Sequence, residues 1–164
     1  ELPALLQAAA ALAPGGPQIN PDDPCFIAPD NMPERIRAAV RHTGGVLPDN
    51  PAAITRCIMD SLAAGYATTI QAAEQLADRS VNVVHVVGGG SQNELLCQLT
   101  ADATRRPVIA GPVEATALGN VLIQARATGA LAGGLQELRR LIGTGTSLRR
   151  YEPVKQAAPV AAPR

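Results

Sequence analysis

Three consecutive glycines follow a run of valines in residues 83–93, whose sequence is VVHVVGGGSQN. Residues 81–87 contain five valines without polar alternation, which predicts a parallel β-strand covered on both faces. Because ordered glycine costs backbone entropy, three in succession indicate a turn that only glycine allows or a neighbour that contacts the bare backbone. Either explanation places a candidate site at the end of this strand.

The composition argues against several classes of protein. A chain of 164 residues is long enough for one domain with a hydrophobic core. Lysine plus arginine and aspartate plus glutamate both total 14, and the chain has one Phe, two Tyr and no Trp. A nucleic-acid partner is therefore not expected. No stretch approaches the roughly 20 apolar residues that cross a membrane, so no membrane partner is expected either.

The amino terminus and the cysteines add further expectations. Leucines near the start recur at helical spacing, which predicts an amphipathic helix rather than a signal peptide, and the absence of an initial Met is typical of a chain that begins inside a longer protein. The three cysteines lack metal-ligand spacing, so we expect reduced thiols and a cytoplasmic protein. Cys97 is expected to be a small buried apolar residue, and no metal ligand is predicted in the chain.

Hydrophobic periodicity predicts an incomplete α/β domain over residues 1–153. Residues 13–33 are rich in Pro and Gly and are expected to form a loop or small insertion, and residues 154–164 a disordered tail. Asp49-Asn50-Pro51 marks the start of a long helix, in which Ile54, Ile58, Leu62, Tyr66 and Ile70 form an apolar stripe. Two strands are too few for a domain-sized sheet. The predicted helices cover residues 33–42, 51–78, 114–128 and 135–142 and one segment after the glycines, and the predicted strands cover residues 81–87 and 107–110.

The glycine run has a functional and a structural interpretation. A strand that ends in glycines and leads into a helix presents backbone N–H groups to anionic or nucleotide ligands, at Gly88, Gly89 and Gly90. Alternatively, the glycines only form a tight turn, and Ser91 and Glu94 form a capping box at the start of the helix. Three glycines exceed what a turn needs, so both interpretations stay open for this segment.

A nicotinamide-dependent Rossmann domain is a second possibility. Gly88-x-Gly90 follows a strand, and Glu114 lies 24 positions after Gly90, near the distance expected for a ribose-binding acid. Asn93 stands where the third glycine of that fingerprint belongs, and the helix dipole alone favours Glu114 at a helix start. A phosphate-binding Walker loop is excluded because Gly-Lys-Ser/Thr is absent. A non-catalytic interaction module is the third possibility.

The stretch HVVGGGSQNELLCQLTADATRRPVIAGPVEATALGN resembles the carboxy-terminal part of the FGGY family of carbohydrate kinases. GGGSQN, QLTAD and GPVEATALGN occur in the order and at the spacing of that family. The resemblance implies an actin-like ATPase fold of two ribonuclease-H-like domains, with ATP and sugar in the cleft between them. This chain would then be the partial, ATP-side domain of a sugar kinase that lacks its upstream strands.

The resemblance also implies site residues and substrates. Gly89 and Asn93 would contact the nucleotide, with Asn93 one turn into the helix and bonded to the purine edge, and Gly88, Gly90 and Gln92 would belong to the same loop. The family implies ATP and Mg²⁺ as cofactors. Among its members the chain is most similar to those that phosphorylate the 1-hydroxyl of L-rhamnulose, with another ketose or polyol as the alternative.

The same resemblance indicates what the chain lacks. The phosphate loop and the aspartate that acts as general base would lie in an amino-terminal domain upstream of Glu1, so no catalytic residue is assigned here. The chain alone is expected to be inactive and to form at most half of an ATP site.

Structural roles are expected for three other residues. His85 lies inside the valine run and is expected to be a hydrogen-bonded core or strand-end residue. Asp102, near a helix carboxyl end, is expected to pair with Arg105, Arg106 or a nearby N–H. Gly119 within a helix costs about 1 kcal/mol against alanine, which indicates close packing on the sheet or beside the glycine loop.

Overall fold

The computed structural model describes residues 1–27 and 29–154, which form an α/β structure, as predicted. This part of the chain contains six α-helices, a small sheet and two short 3-10 helices, at Pro24–Phe26 and Gly88–Gln92. The helices are α1 Leu2–Ala10, α2 Met32–His42, α3 Pro51–Ala77, α4 Glu94–Thr104, α5 Ala115–Ala127 and α6 Leu135–Gly145, and the strands are β1 Val84–Val86, β2 Val108–Ala110 and β3 Arg149–Tyr151.

The three strands lie in the order β1-β2-β3. β1 and β2 are parallel, with Val84 opposite Val108, and this pairing confirms the predicted parallel arrangement. β2 and β3 are antiparallel, with Val108 opposite Tyr151. β3 was not predicted, because Arg149 and Arg150 are exposed and lack the apolar pattern of a strand.

The valine-rich strand is shorter and less covered than predicted. Only Val84–Val86 is strand, and its two valines are half-buried. The expectation that His85 is a hydrogen-bonded core or strand-end residue is wrong. Its side chain is exposed and lines an open groove between β1 and α3. Among the described residues no element covers that groove, so the coverage on both faces that five valines predict is incomplete.

Helix α3 begins and ends where the sequence predicts. Asn50 is its N-cap, with the side chain accepting a hydrogen bond from the N–H of Ala52 at 2.8 Å. The helix ends at Asp78, whose left-handed backbone has a φ of 48°. The predicted stripe is covered only at its start, since Ile54 is buried whereas Tyr66 is 40% exposed.

A buried ion pair connects α3 to α1. The guanidinium of Arg56 donates to the carboxylate of Asp60 at 2.9 Å, and each side chain is only 9% exposed. The same guanidinium donates to the carbonyls of Ala9 at 3.4 Å and Leu12 at 2.7 Å, which lie at the end of α1. Arg56 therefore supplies hydrogen-bond donors to carbonyls at and just beyond the carboxyl end of α1.

Two apolar clusters form the interior. One joins α2 to α3, and the other joins α4 to β2. The Pro- and Gly-rich segment packs on the first cluster, and the Ile19 N–H donates to Ser61 Oγ at 3.0 Å, so it is an ordered loop around one 3-10 turn. The buried members are Ile36, Val40, Ile54 and Cys57 in the first cluster and Cys97, Ala101, Val108 and Ala110 in the second.

The carboxy-terminal helices pack more loosely. None of the residues of α5 is buried, and a Cβ built on Gly119 meets nothing within 4 Å in the described part of the chain. For the described residues, the expectation of close packing at Gly119 is therefore wrong. The predicted tail falls mainly on residues 155–164, which lie outside the described residues. No helix in the described ranges has the length and apolar character needed to cross a membrane.

A charged pair fixes the start of the valine run. Both carboxylate oxygens of Glu74, near the end of α3, accept hydrogen bonds from the Arg106 guanidinium at 2.7 Å. Glu74 also accepts from the N–H of Val81 at 2.6 Å, and Arg106 donates to the carbonyl of Val81 at 2.6 Å. Both main-chain polar groups of one residue are thus held by the same ion pair, which joins α3, the approach to β1 and the approach to β2.

We predict that Glu74→Gln lowers the free energy of unfolding by about 1–3 kcal/mol, because it removes the charge from three short hydrogen bonds in a partly buried site. Urea denaturation followed by circular dichroism measures this change. Glu152→Gln is the matched control, since the Glu152–Arg150 pair is exposed and its loss costs at most about 1 kcal/mol. Equal effects of the two substitutions would contradict the role given to Glu74.

Candidate nucleotide-binding site

Two loops meet at the carboxyl ends of the parallel strands. The Gly111 N–H, just after β2, donates to the carbonyl of Val86 at 2.8 Å, and the Gly88 N–H donates to the carbonyl of Pro112 at 3.2 Å. GGGSQN and GPVEA, which follow separate strands, are therefore adjacent in space. This edge of a parallel sheet is where ligands bind in open α/β folds.

The three glycines differ in what the backbone requires of them. Gly88 has a φ of 73°, a left-handed conformation that favours glycine. Gly90 would accommodate a Cβ in ordinary contact, 3.8 Å from Val86 Cγ1. A Cβ on Gly89 would meet no described atom within 4 Å, and its φ lies outside the left-handed range. Among these three glycines, the backbone conformation therefore favours glycine only at residue 88.

The start of α4 differs from the predicted capping box. The Ser91 hydroxyl donates to the carbonyl of Gly88 at 2.6 Å instead of capping the helix, so that prediction is wrong. The N-cap is Asn93, whose Oδ1 accepts from the N–H of Leu96 at 3.0 Å. The expectation that Asn93 lies one turn into the helix is also wrong. Both differences arise because the glycines form their own 3-10 helix, Gly88–Gln92, and move the start of α4 to Glu94.

Asn93 keeps part of its hydrogen-bonding capacity. Its Nδ2 lies 3.3 Å from Met59 Sδ, a weak acceptor on α3. The amide has two N–H groups and a second lone pair on Oδ1, so capping does not exhaust it. Gln92 beside it is exposed. The structure thus brings Gly88, Gly89, Gly90, Gln92 and Asn93 together in one turn.

Asp102 on α4 and Gly111 after β2 each lie against a segment that flanks β3. Asp102 Oδ1 accepts from the N–H of Val154 at 2.8 Å and from Gln98 Nε2 at 2.9 Å, which confirms pairing with an N–H. Gly111 was missed by the sequence analysis. Its φ is 109°, and a Cβ there would lie 3.1 Å from the carbonyl oxygen of Ser147. The Gly-Pro dipeptide after a predicted strand is the signal that could have found it.

Pairing of Asp102 with an arginine is not the arrangement observed. Arg106 donates to Glu74, and the exposed Arg105 has a left-handed φ of 55° and ends α4. The side chain of Asp102 instead fastens the segment after β3 to α4. Asp102 therefore has a structural role.

Cys97 lies beneath the glycine turn. It is fully buried, with Sγ 3.8 Å from the carbonyl oxygen of Gly90, as expected for a small core residue. Burial, with a smaller contribution from the charge of Glu94, raises the pKa of this thiol above its usual value of 9.0. Cys97 is thus a protonated packing residue at neutral pH, not a nucleophile.

No candidate magnesium site is found among the described residues. Within residues 1–27 and 29–154 no three His, Cys, Asp or Glu side chains are grouped so that they could hold a metal ion. Glu114 is exposed at the start of α5 and makes no capping hydrogen bond.

Comparison with known proteins identifies the family. Residues 1–128 match the model of the FGGY family of carbohydrate kinases, C-terminal domain. The match covers more than half of the chain, which therefore belongs to this family. The alternative of a nicotinamide-dependent Rossmann domain is dropped, since its fingerprint also lacks the third glycine at Asn93.

Two relatives are similar over nearly the whole chain. The rhamnulokinase of Bacteroides thetaiotaomicron is 43% identical over 156 residues, which are 95% of this chain and 32% of the relative. The rhamnulokinase of Pectobacterium carotovorum subsp. carotovorum is 43% identical over 153 residues, 93% of this chain and 31% of the relative. The chain spans about a third of the length of these curated relatives.

We predict that Asn93→Ala lowers the free energy of unfolding by about 1 kcal/mol through loss of the helix cap, whereas Asn93→Asp leaves it nearly unchanged, because Asp caps equally well. Urea denaturation of both variants measures the difference. Similar stability of the Ala and Asp variants would show that the cap contributes nothing.

Proposed function

We propose that this chain is the ATP-side portion of a carbohydrate kinase, built as a partial ribonuclease-H-like domain. Its membership of the FGGY family and its parallel strands with glycine loops at their carboxyl ends support this proposal. The rest of the catalytic site would come from polypeptide that corresponds to the other two thirds of the relatives.

The observation that carries the proposal is the open space over Gly89. Neither the backbone conformation nor a described neighbour requires glycine at residue 89, and the open space there would let a molecule approach the main chain just after the carboxyl end of β1. A planar purine nucleoside placed against Gly89 would lie next to the exposed Gln92 and the spare N–H of Asn93. These groups can donate to and accept from a purine edge.

In this mechanism the chain binds and orients the nucleotide. Gly88 shapes the turn, Gly89 permits close approach, and Asn93 holds one side of the turn through its bond to Leu96. ATP supplies the γ-phosphoryl group, and transfer requires in-line positioning of a sugar hydroxyl, a base and Mg²⁺. We assign those groups to the polypeptide outside this chain, so residues 1–164 alone would be inactive.

L-Rhamnulose, phosphorylated on its 1-hydroxyl, is the proposed sugar. The support is the name that both relatives carry, at 43% identity over at least 93% of this chain. We also propose a cytoplasmic location, because the three cysteines are free, as in a reducing compartment.

We predict that the full-length protein consumes ATP in the presence of L-rhamnulose and forms L-rhamnulose 1-phosphate, with kcat/KM at least about 10-fold higher than for L-ribulose or glycerol, which corresponds to about 1.4 kcal/mol of discrimination. A coupled ADP-release assay and phosphorus NMR of the product measure this. Higher kcat/KM with another sugar would overturn the substrate, and no turnover with any sugar would favour a non-catalytic interaction module.

We predict that Gly89→Val in the full-length protein raises the dissociation constant for ATP at least about 10-fold, since its side chain would occupy the nucleotide position, while KM for the sugar stays unchanged. Isothermal titration calorimetry with ATP measures the first value. Gly16→Val is the matched control, because Gly16 lies in the loop after α1 with equally open space and no left-handed φ. Unchanged ATP affinity would contradict the proposed site.

A further inference from the structure

β3 begins at the same edge of the sheet as the proposed nucleotide site. Because β3 is antiparallel to β2, its first residue, Arg149, lies opposite Ala110, the last residue of β2. The segment just before β3 reaches the loop after β2, since a Cβ built on Gly111 would lie 3.1 Å from the carbonyl oxygen of Ser147. Arg149 therefore lies at the edge of the sheet where the two glycine loops meet.

The side chain of Arg149 is bonded to the start of α4. Its guanidinium donates to the carboxylate of Glu94, the first residue of α4 and the neighbour of Asn93. One turn further along α4, Gln98 Nε2 donates to the carbonyl of Glu152 at 2.9 Å, so the same face of the helix follows β3. The Arg149 guanidinium is thus held beside the glycine turn, while its side chain is 65% exposed.

None of the three aromatic residues of the chain, all of which the structure describes, belongs to the glycine turn. Phe26 packs against the first apolar cluster, and Tyr66 lines the groove between β1 and α3. Tyr151 lies opposite Val108, at the far end of β2 from the glycine loops. A purine bound over Gly89 therefore needs another flat surface for its ring.

A guanidinium provides a flat surface of this kind. It is planar, carries its N–H donors in that plane, and stacks on aromatic rings. Nucleic-acid bases stack on arginine in the same way as they stack on aromatic side chains. Donation to Glu94 uses donors in the plane and leaves the faces of the Arg149 guanidinium available.

We propose that the purine ring of the nucleotide stacks on the Arg149 guanidinium, and that Glu94 is a positioning residue that fixes the plane of this group. The base edge then faces the amide of Asn93, and the nucleoside lies against the main chain at Gly89. This inference rests on the proposed nucleotide site at the glycine turn. It adds to that site a side chain that holds the base and not the phosphates.

Calorimetric titration of the full-length protein with ATP and with adenosine tests the stacking. Arg149→Met keeps the length of the side chain but not its plane, and it is expected to raise both dissociation constants at least about 5-fold. Arg150→Met is the matched control, because Arg150 lies on the opposite face of β3 and is bonded to Glu152. The control is expected to change both constants by less than about 2-fold. Unchanged adenosine affinity in Arg149→Met overturns the proposal.

Arg149→Lys separates the plane of the side chain from its charge. Lysine keeps the charge and the pairing with Glu94 but has no flat face, so adenosine affinity is expected to fall at least about 3-fold. Adenosine affinity within about 2-fold of the unsubstituted protein overturns the proposal. A loss confined to ATP also overturns it, because that result indicates contact with the phosphates. If Arg149→Met does not fold, the lysine variant decides.

A double-mutant cycle tests the role of Glu94. Glu94→Ala releases the guanidinium and is expected to raise the dissociation constant for adenosine about 3-fold, but to have no effect in a protein that already carries Arg149→Met. Adenosine is uncharged, so the loss of the carboxylate has no direct effect on its binding through charge. An equal effect of Glu94→Ala in both proteins contradicts positioning through Arg149.

The same titrations distinguish the stacking from the nucleotide site itself. ATP binding that is lost in Gly89→Val but kept in Arg149→Met overturns the stacking alone. If the unsubstituted full-length protein binds neither ATP nor adenosine, the nucleotide site proposed at the glycine turn is wrong, and the stacking with it.

Discussion

One carboxylate, that of Glu74, determines where the parallel sheet begins. It receives the guanidinium of Arg106 and the N–H of Val81, while Arg106 returns a hydrogen bond to the Val81 carbonyl. Arg106 lies two residues before β2. The Glu74–Arg106 pair therefore helps to fix the register in which the first strand residues, Val84 and Val108, lie opposite one another. The carboxyl ends of the strands, Val86 and Ala110, each lie two residues after the first strand residue and are opposite one another, and the glycine loops meet there.

The proposed nucleotide site, the glycine turn, is formed mainly by main chain. Left-handed backbone is needed at Gly88 alone, and the next two positions leave main chain accessible. The buried Cys97 packs beneath this turn, and the hydroxyl of Ser91 donates a hydrogen bond to the carbonyl of Gly88. Asn93 satisfies one of the N–H groups that the first turn of α4 leaves unpaired, that of Leu96.

The sequence predicted the order of helices and parallel strands better than the local geometry of the turns. Helix α3 was predictable to within one residue, because Pro51 can only occupy a first turn and the apolar repeat extends over many turns. The five candidate residues lie in one loop, and their role in binding stays a prediction. The Asn93 cap was not predictable, since a 3-10 helix of glycines has no periodic signal. β3 and the exposure of His85 were also missed, because strand pairing depends on which distant segments are present, and pattern rules assume a complete sheet.

Arg56 gives the first helix a particular dependence on the third. The Arg56 side chain, which is 9% exposed, donates to Asp60 and to two carbonyls at the end of α1, so separating α1 from α3 would break the bonds to both carbonyls. This loss adds to the cost of exposing the buried Ala9 of α1. The amino-terminal segment and the middle of α3 should consequently open and close as one cooperative unit.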